Sequence, residues 1–199
     1  MTKSAPEYSF KFLMVGDAGV GKTSLVRRLC LNQFSDSCDQ TVGIEFMVYK
    51  LYVNDNPVQL QIWDTAGQET YRALGRAYYR DAVGVLLVFA YNSHTSFVAL
   101  EDWINDAKSL CNPNAKIMLI GNKTDLTDMR EISKSEVELF ARNHKLEYIE
   151  TSAKENINVS EAFYRTARSV LQGVMANEIK LVGVSGEDVD QKSKKGGCC

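Results

Sequence analysis

The sequence predicts an α/β layer fold on a largely parallel sheet, and three observations carry the prediction. Residues 82–91 (AVGVLLVFAY) and 116–122 (KIMLIGN) are almost continuously apolar, as strands covered on both faces are. Between such runs the spacing of apolar residues turns helical: Phe97, Leu100, Trp103, Ile104, Ala107 and Leu110 form one stripe. Val159, Ala162, Phe163, Thr166, Ala167, Val170, Leu171 and Val174 form a longer one, the strongest helix signal in the chain. Strand alternating with helix implies right-handed crossovers and a layered α/β body. These stripes read as core rather than as ligand contacts.

The other elements follow in order. YSFKFLMVG (residues 8–16) reads as a first strand entering a glycine loop, with a helix starting near Lys22. IEFMVYKLYV (44–53) and VQLQIWD (58–64) flank the cluster Asn54-Asp55-Asn56-Pro57 and read as a hairpin. In its second arm Val58, Leu60 and Ile62 alternate with Gln59 and Gln61, so one apolar face points inward. Ser133 and Glu136 have capping-box spacing ahead of Val137, Leu139 and Phe140. Past Val174 the pattern dissolves into polar, Gly- and Ser-containing sequence, expected to be a disordered tether.

At 199 residues the chain suits one domain, and 45% hydrophobic with 24% charged residues is the globular norm. A net charge of −2 gives no sign of a nucleic-acid surface. The start, MTKSAPEYSF, lacks a signal-peptide core, and Thr2 excludes N-myristoylation. Cys30, Cys38 and Cys111 are scattered and fit a reducing cytosol; no zinc spacing occurs. His94 and His144 read as helix-flanking surface residues.

GDAGVGKT (Gly16 to Thr23) matches G-x-x-x-x-G-K-[ST] at a strand–helix junction. Glycines let successive N–H groups turn toward one anionic centre, and the helix N-terminus adds partial positive charge. Lys22 can reach β- and γ-phosphates, and the Thr23 hydroxyl can ligate Mg²⁺. Asn122-Lys123-Thr124-Asp125 and Thr151-Ser152-Ala153-Lys154 each follow an apolar strand, where open α/β sheets bind ligands. A carboxylate at Asp125 can accept from guanine N1–H and the 2-amino group, whereas adenine would leave it unpaired. The Ala153 N–H suits guanine O6, and the Lys123 stem can cover the base.

GDAGVGKT, TVGIEF, WDTAGQE, NKTD and TSAK, in that order, resemble the Ras superfamily of small GTPases. WDTAGQE, YYRDA and the terminal GGCC are similar to the Rab family in particular. The likeness spans roughly residues 8 to 175 and the last four. It implies a P-loop NTPase small G-protein fold, with six strands, five parallel and one antiparallel, and helices on both faces. It divides the chain into a flexible N-terminus (1–7), a GTPase domain (8–175) and a disordered hypervariable tail (176–199).

The same resemblance implies a set of roles. GTP contacts would come from Ala18, Gly19, Val20, Gly21, Lys22, Thr23, Ser24, Phe34, Thr41, Gly67, Asn122, Lys123, Asp125, Ser152, Ala153 and Lys154. Phe34 would stack on the base. Thr23, Thr41 and Asp64 would hold Mg²⁺, Asp64 through water, and the Gly67 N–H would meet the γ-phosphate. Gln68 would orient the attacking water, by position rather than as a base. No motif supplies a built-in arginine finger, so hydrolysis is expected to be slow alone and faster with an activating protein. Arg72, Arg76 and Arg80 share a helical face and read as surface or partner contacts before catalytic groups.

Phe46, Trp63 and Tyr78 occupy the family's effector-reading aromatic positions; an interface or a cap on the core would each explain them. The sequence departs from the family at Ala18, where Ras has glycine, at Ala90, where an aspartate is usual, and at Asp81, where a glycine is usual.

The ending rules out a C-a-a-X box, since the fourth residue from the end is Gly196. By resemblance Cys198 and Cys199 receive two geranylgeranyl groups; metal capture or a redox pair is the alternative. One lipid chain gives marginal membrane residence and two give stable anchoring. Two are needed because Lys192, Lys194 and Lys195 are offset by Glu187, Asp188 and Asp190. Implied partners are effectors, an exchange factor, an activating protein, a prenylation escort and a GDP-dissociation inhibitor. The expected form is a monomer on the cytoplasmic face of Golgi or early and recycling endosomal membranes, with a soluble escorted pool.

Overall fold

The computed structural model describes residues 6–36, 41, 43–67 and 77–181. Its strands are β1 (Tyr8–Val15), β2 (Ile44–Val53), β3 (Asn56–Thr65), β4 (Gly84–Ala90), β5 (Lys116–Asn122) and β6 (Glu147–Glu150). The helices are α1 (Lys22–Leu31), α2 (His94–Val98), α3 (Leu100–Leu110), α4 (Lys134–His144) and α5 (Val159–Met175), with a 3₁₀ turn at Thr127–Met129. One six-stranded sheet runs β2-β3-β1-β4-β5-β6, and only the β2–β3 pairing is antiparallel.

Strand periodicity divides the core in two. Phe10, Phe12, Met14, Leu86, Val88, Met118 and Ile120 face one side and pack with Leu25 and Val26 of α1 and Phe163, Ala167 and Val170 of α5. Leu13, Val15, Val85, Leu87, Phe89 and Leu119 face the other and meet Leu100, Trp103 and Ile104 of α3 and Val137 and Ala141 of α4. Every residue of β4 is buried, as its unbroken apolar run requires. Phe163 is wholly enclosed, so its truncation to alanine would cost about 3–5 kcal/mol.

Three local features differ from the sequence reading. The hairpin turn holds two residues, not four: Asn54 and Asp55 have φ of 46° and 66°, and Val53 already pairs with Asn56. Two consecutive left-handed residues make the tight turn whose twist matches the strands, so Asn56 and Pro57 join β3. The stripe from Phe97 to Leu110 is split, with Ala99 separating α2 from α3. Packing also continues beyond α5. Ile179 is buried against Gly173, while the Glu178 carbonyl accepts from Asn114 Nδ2 at 2.7 Å.

The capping box forms in full: Ser133 Oγ accepts from the Glu136 N–H, and the Glu136 carboxylate accepts from the Ser133 N–H. Asp81 has φ 63°, a conformation glycine adopts freely and aspartate tolerates, which explains the usual glycine there. Ala90 is buried, and its N–H donates to Ser96 Oγ at 3.1 Å, so a serine hydroxyl receives the strand end.

Candidate functional site

The C-terminal ends of β1, β3, β5 and β6 open onto one cavity of about 360 Å³. Its lining includes Ala18, Gly19, Gly21, Lys22, Thr23, Ser24, Phe34, Thr41, Gly67, Asn122, Lys123, Asp125, Ala153 and Lys154. Val20 and Ser152, also expected there, do not line it: both are buried behind the wall. Ser35, Asp36 and Leu126 line it too, although no motif marks them. Gln68, Arg72, Arg76, Cys38, Cys198 and Cys199 lie outside the described residues.

The glycine loop is shaped by close approach. Gly16 has φ 138°, and a Cβ there would stand 2.1 Å from the Val88 carbonyl oxygen. Gly21 has φ 96° and precedes α1 without any side-chain cap, so the first N–H groups of the helix stay available to an anion. A Cβ on Gly67 would come within 2.3 Å of the Asp17–Ala18 backbone, so the end of β3 lies directly on the loop. The loop is held from α3 as well, by Trp103 Nε1 donating to Asp17 Oδ1 at 2.7 Å.

Lys22 is 5% exposed, and its Nζ donates to the Gly16 and Asp17 carbonyls at 2.7 and 2.9 Å. Burial lowers its pKa to about 8, against the pull of Asp64 and Asp17. Two neutral carbonyls leave that ammonium poorly compensated, which an anionic ligand would correct.

Beside it Thr23 Oγ1 donates to Asp64 Oδ2 at 2.5 Å and lies 2.6 Å from Thr41 Oγ1. Asp64 is buried, and its Oδ1 has no partner among the described residues. Burial pushes its carboxyl up to about 6, opposed by the Thr23 hydrogen bond and the Lys22 charge. Two hydroxyls and a carboxylate with one free oxygen form a hard-oxygen donor set that fits Mg²⁺.

At the other end Ser152 Oγ donates to Asp125 Oδ1 at 2.6 Å and accepts from the Glu155 N–H, which fixes the carboxylate from behind. Burial lowers the Lys123 pKa and Asp125 opposes it. The Asn122 side chain is spent on protein: Nδ2 donates to the Val20 carbonyl and Oδ1 accepts from Thr151 Oγ1. Arg28, unremarked in the sequence, donates Nε and Nη2 to the Ala153 and Lys154 carbonyls, with its guanidinium 5.9 Å from the Phe34 ring. Lys154 Nζ lies 3.6 Å from Asp36 Oδ1, both on the cavity wall.

A model of the Ras family matches residues 11–172. The chain is 39% identical to the Ras-related protein RABA1h of Arabidopsis thaliana over 206 aligned positions, covering 97% of this chain and 94% of that protein. The chain belongs to the Ras family, as a Rab-type small GTPase. GTP binding and hydrolysis with Mg²⁺ are general to that family.

In this GTPase Phe46, Trp63 and Tyr78 form one aromatic cluster. Phe46 and Trp63 are register partners with ring centroids 5.0 Å apart, and Trp63 and Tyr78 lie at 5.4 Å. Phe46 is half exposed, while Trp63 and Tyr78 pack partly against the second core. Lys11 Nζ sits 5.1 Å from the Trp63 ring. Among the described residues no helix is long and apolar enough to cross a membrane.

Proposed function

We propose that the protein is a membrane-anchored GTP/GDP switch that recruits effectors in vesicle trafficking. The observation that supports this most is the meeting of Thr23, Thr41 and Asp64 beside the buried Lys22. Thr41 belongs to one switch segment, while Asp64 and Gly67 lead into the other. A terminal phosphate touching both segments would hold them together, and its loss would release both.

Thr23, Thr41 and Asp64 would hold Mg²⁺, which neutralises charge on the phosphate oxygens. Lys22 and the glycine-loop N–H groups bind the phosphates and stabilise charge that develops during transfer. Asp125, fixed by Ser152, reads guanine, with the Ala153 N–H, the Lys123 stem and Phe34 completing the base pocket. Gln68 orients the attacking water. Hydrolysis is slow alone and is accelerated by an activating protein, since no sequence motif resembles a built-in arginine finger.

Two geranylgeranyl groups on Cys198 and Cys199 anchor the protein, which cycles through an exchange factor, an activating protein, a prenylation escort and a GDP-dissociation inhibitor. It acts as a monomer, at Golgi or early and recycling endosomal membranes. Single-turnover phosphate release from the Mg²⁺–GTP complex tests the catalytic part. Wild type should release phosphate slowly and Gln68→Leu slower still. Absence of release from both would instead indicate a permanently loaded scaffold.

A further inference from the structure

One cluster built on the buried Tyr91 lies outside the cavity, under the two base-reading loops, and joins their parent strands. Tyr91, just past β4, is 1% exposed, and its hydroxyl donates to Glu150 Oε1 at 2.9 Å. Tyr148 of β6 contacts the Tyr91 hydroxyl and donates to the same Oε1 at 2.9 Å. Arg130 Nη2 reaches that oxygen at 3.1 Å, while its guanidinium lies 3.6 Å from the Tyr91 ring centroid. A single carboxylate oxygen thus gathers donors from three chain segments.

The cluster is wired to the base loops by backbone bonds. The Tyr91 N–H donates to the Asn122 carbonyl at 3.0 Å, at the first residue of NKTD. Glu150 directly precedes Thr151, whose N–H donates to the Gly121 carbonyl at 2.8 Å. Gly121 leaves room for the Tyr91 ring: a Cβ there would stand 2.7 Å from Tyr91 Cε2. The Glu131 N–H donates to the Tyr91 carbonyl, so the segment following NKTD rests on the same residue.

We propose that Tyr91, with Tyr148, Arg130 and Glu150, is a positioning residue that sets guanine specificity by fixing the spacing between the 122–125 and 151–154 loops. The inference rests on the reading of Asp125 as the carboxylate that accepts from the guanine 2-amino group. Asp125 sits on one loop, and the Ser152 hydroxyl that orients it sits on the other. Drift of β6 against β5 turns the carboxylate off the base edge. Burial alone pushes the Glu150 carboxyl up. Hydrogen bonds from Tyr148, Tyr91 and Arg130 more than reverse that, so the anion that anchors the cluster is favoured.

The test compares release of GDP and of inosine diphosphate, whose base lacks the 2-amino group, from the full chain with Mg²⁺. Wild type should hold GDP longer than inosine diphosphate. Tyr91→Phe removes one hydroxyl and keeps the ring. It should speed GDP release about threefold to tenfold and inosine diphosphate release by a clearly smaller factor, since hypoxanthine keeps the N1–H and has no 2-amino hydrogen bond to lose. Equal acceleration of both nucleotides would mean general loosening and would overturn the proposal, as would unchanged GDP release. Tyr148→Phe, at a half-buried position, is judged by the same ratio if Tyr91→Phe does not fold. Should wild type release both nucleotides equally, the Asp125 reading itself fails, and the inference with it.

Discussion

The Asn122 amide donates to the Val20 carbonyl at 2.9 Å while its Oδ1 accepts from the Thr151 hydroxyl at 3.1 Å. One buried side chain thereby ties the phosphate loop to both base loops. Asn122→Ala leaves a buried carbonyl and a buried hydroxyl unpaired, at about 1–3 kcal/mol each. GDP release should quicken at least tenfold, and thermal unfolding of the nucleotide-free protein should fall by several degrees. Release rates and a melting curve on the same preparation check this, and unchanged release would refute the tie.

Two glycines of the same loop separate strain from collision. Gly16→Ala combines a φ of 138° with a Cβ 2.1 Å from a strand carbonyl, which cannot yield. Folded protein should not accumulate. Gly19 has φ 75°, but a Cβ there would meet nothing within 4 Å, so only backbone strain of roughly 1–2 kcal/mol applies. Gly19→Ala should fold, with its melting temperature lowered by about 2–8 °C.

Much of this was legible in the sequence wherever one interaction dominates locally. The doubly covered strands β4 and β5, the long stripe of α5 and the Ser133–Glu136 box all depend on neighbours along the chain. Most of the cavity lining was legible as well, because much of its chemistry is carried by short motifs at strand ends, while Ser35, Asp36 and Leu126 belong to no motif. What is not legible there depends on contacts distant in sequence. Arg28 reaches carbonyls of Ala153 and Lys154, and a carbonyl leaves no trace in residue identity. Asn122 reads as a ligand contact by its motif, yet its amide is satisfied by protein. Ile179 looks like part of a polar tail and packs only because Gly173 leaves space.

Helix α4 offers a control remote from the nucleotide. Ser133→Ala removes the acceptor for the Glu136 N–H and should cost about 1 kcal/mol. The expected drop in melting temperature is about 2–4 °C for a domain of this size. GDP release should be unchanged, which separates loss of stability from loss of the site.

Glu150 gives a pH prediction with a definite sign. Its folded pKa is held below the ordinary value by Tyr148, Tyr91 and Arg130, after burial has pushed the other way. The unfolded chain therefore binds the proton more readily than the folded one. The stability that Glu150 contributes is complete above its unfolded pKa of about 4.3 and is lost as pH falls through the lower folded value. Glu150→Gln should be less stable than wild type at pH 7, and the gap should narrow as pH drops below about 4. Denaturant midpoints measured across that range check this; a constant gap would place the contribution in packing instead of charge.

The aromatic cluster separates recognition from chemistry. Trp63 touches Phe46 at 5.0 Å and Tyr78 at 5.4 Å, so it is the common member of both pairs. Phe46 is half exposed, so Phe46→Ala should cost little stability. If the cluster is the effector surface, Phe46→Ala should weaken binding of a GTP-dependent partner by about 2 kcal/mol or more, some thirtyfold. Phosphate release from the variant should match wild type, because Phe46 is not among the residues that line the cavity. Partner capture from GTP-loaded and GDP-loaded protein, with phosphate release measured beside it, reads both effects. A variant that keeps its partners would leave the ring as a cap on Trp63, whose partly buried face Phe46 covers.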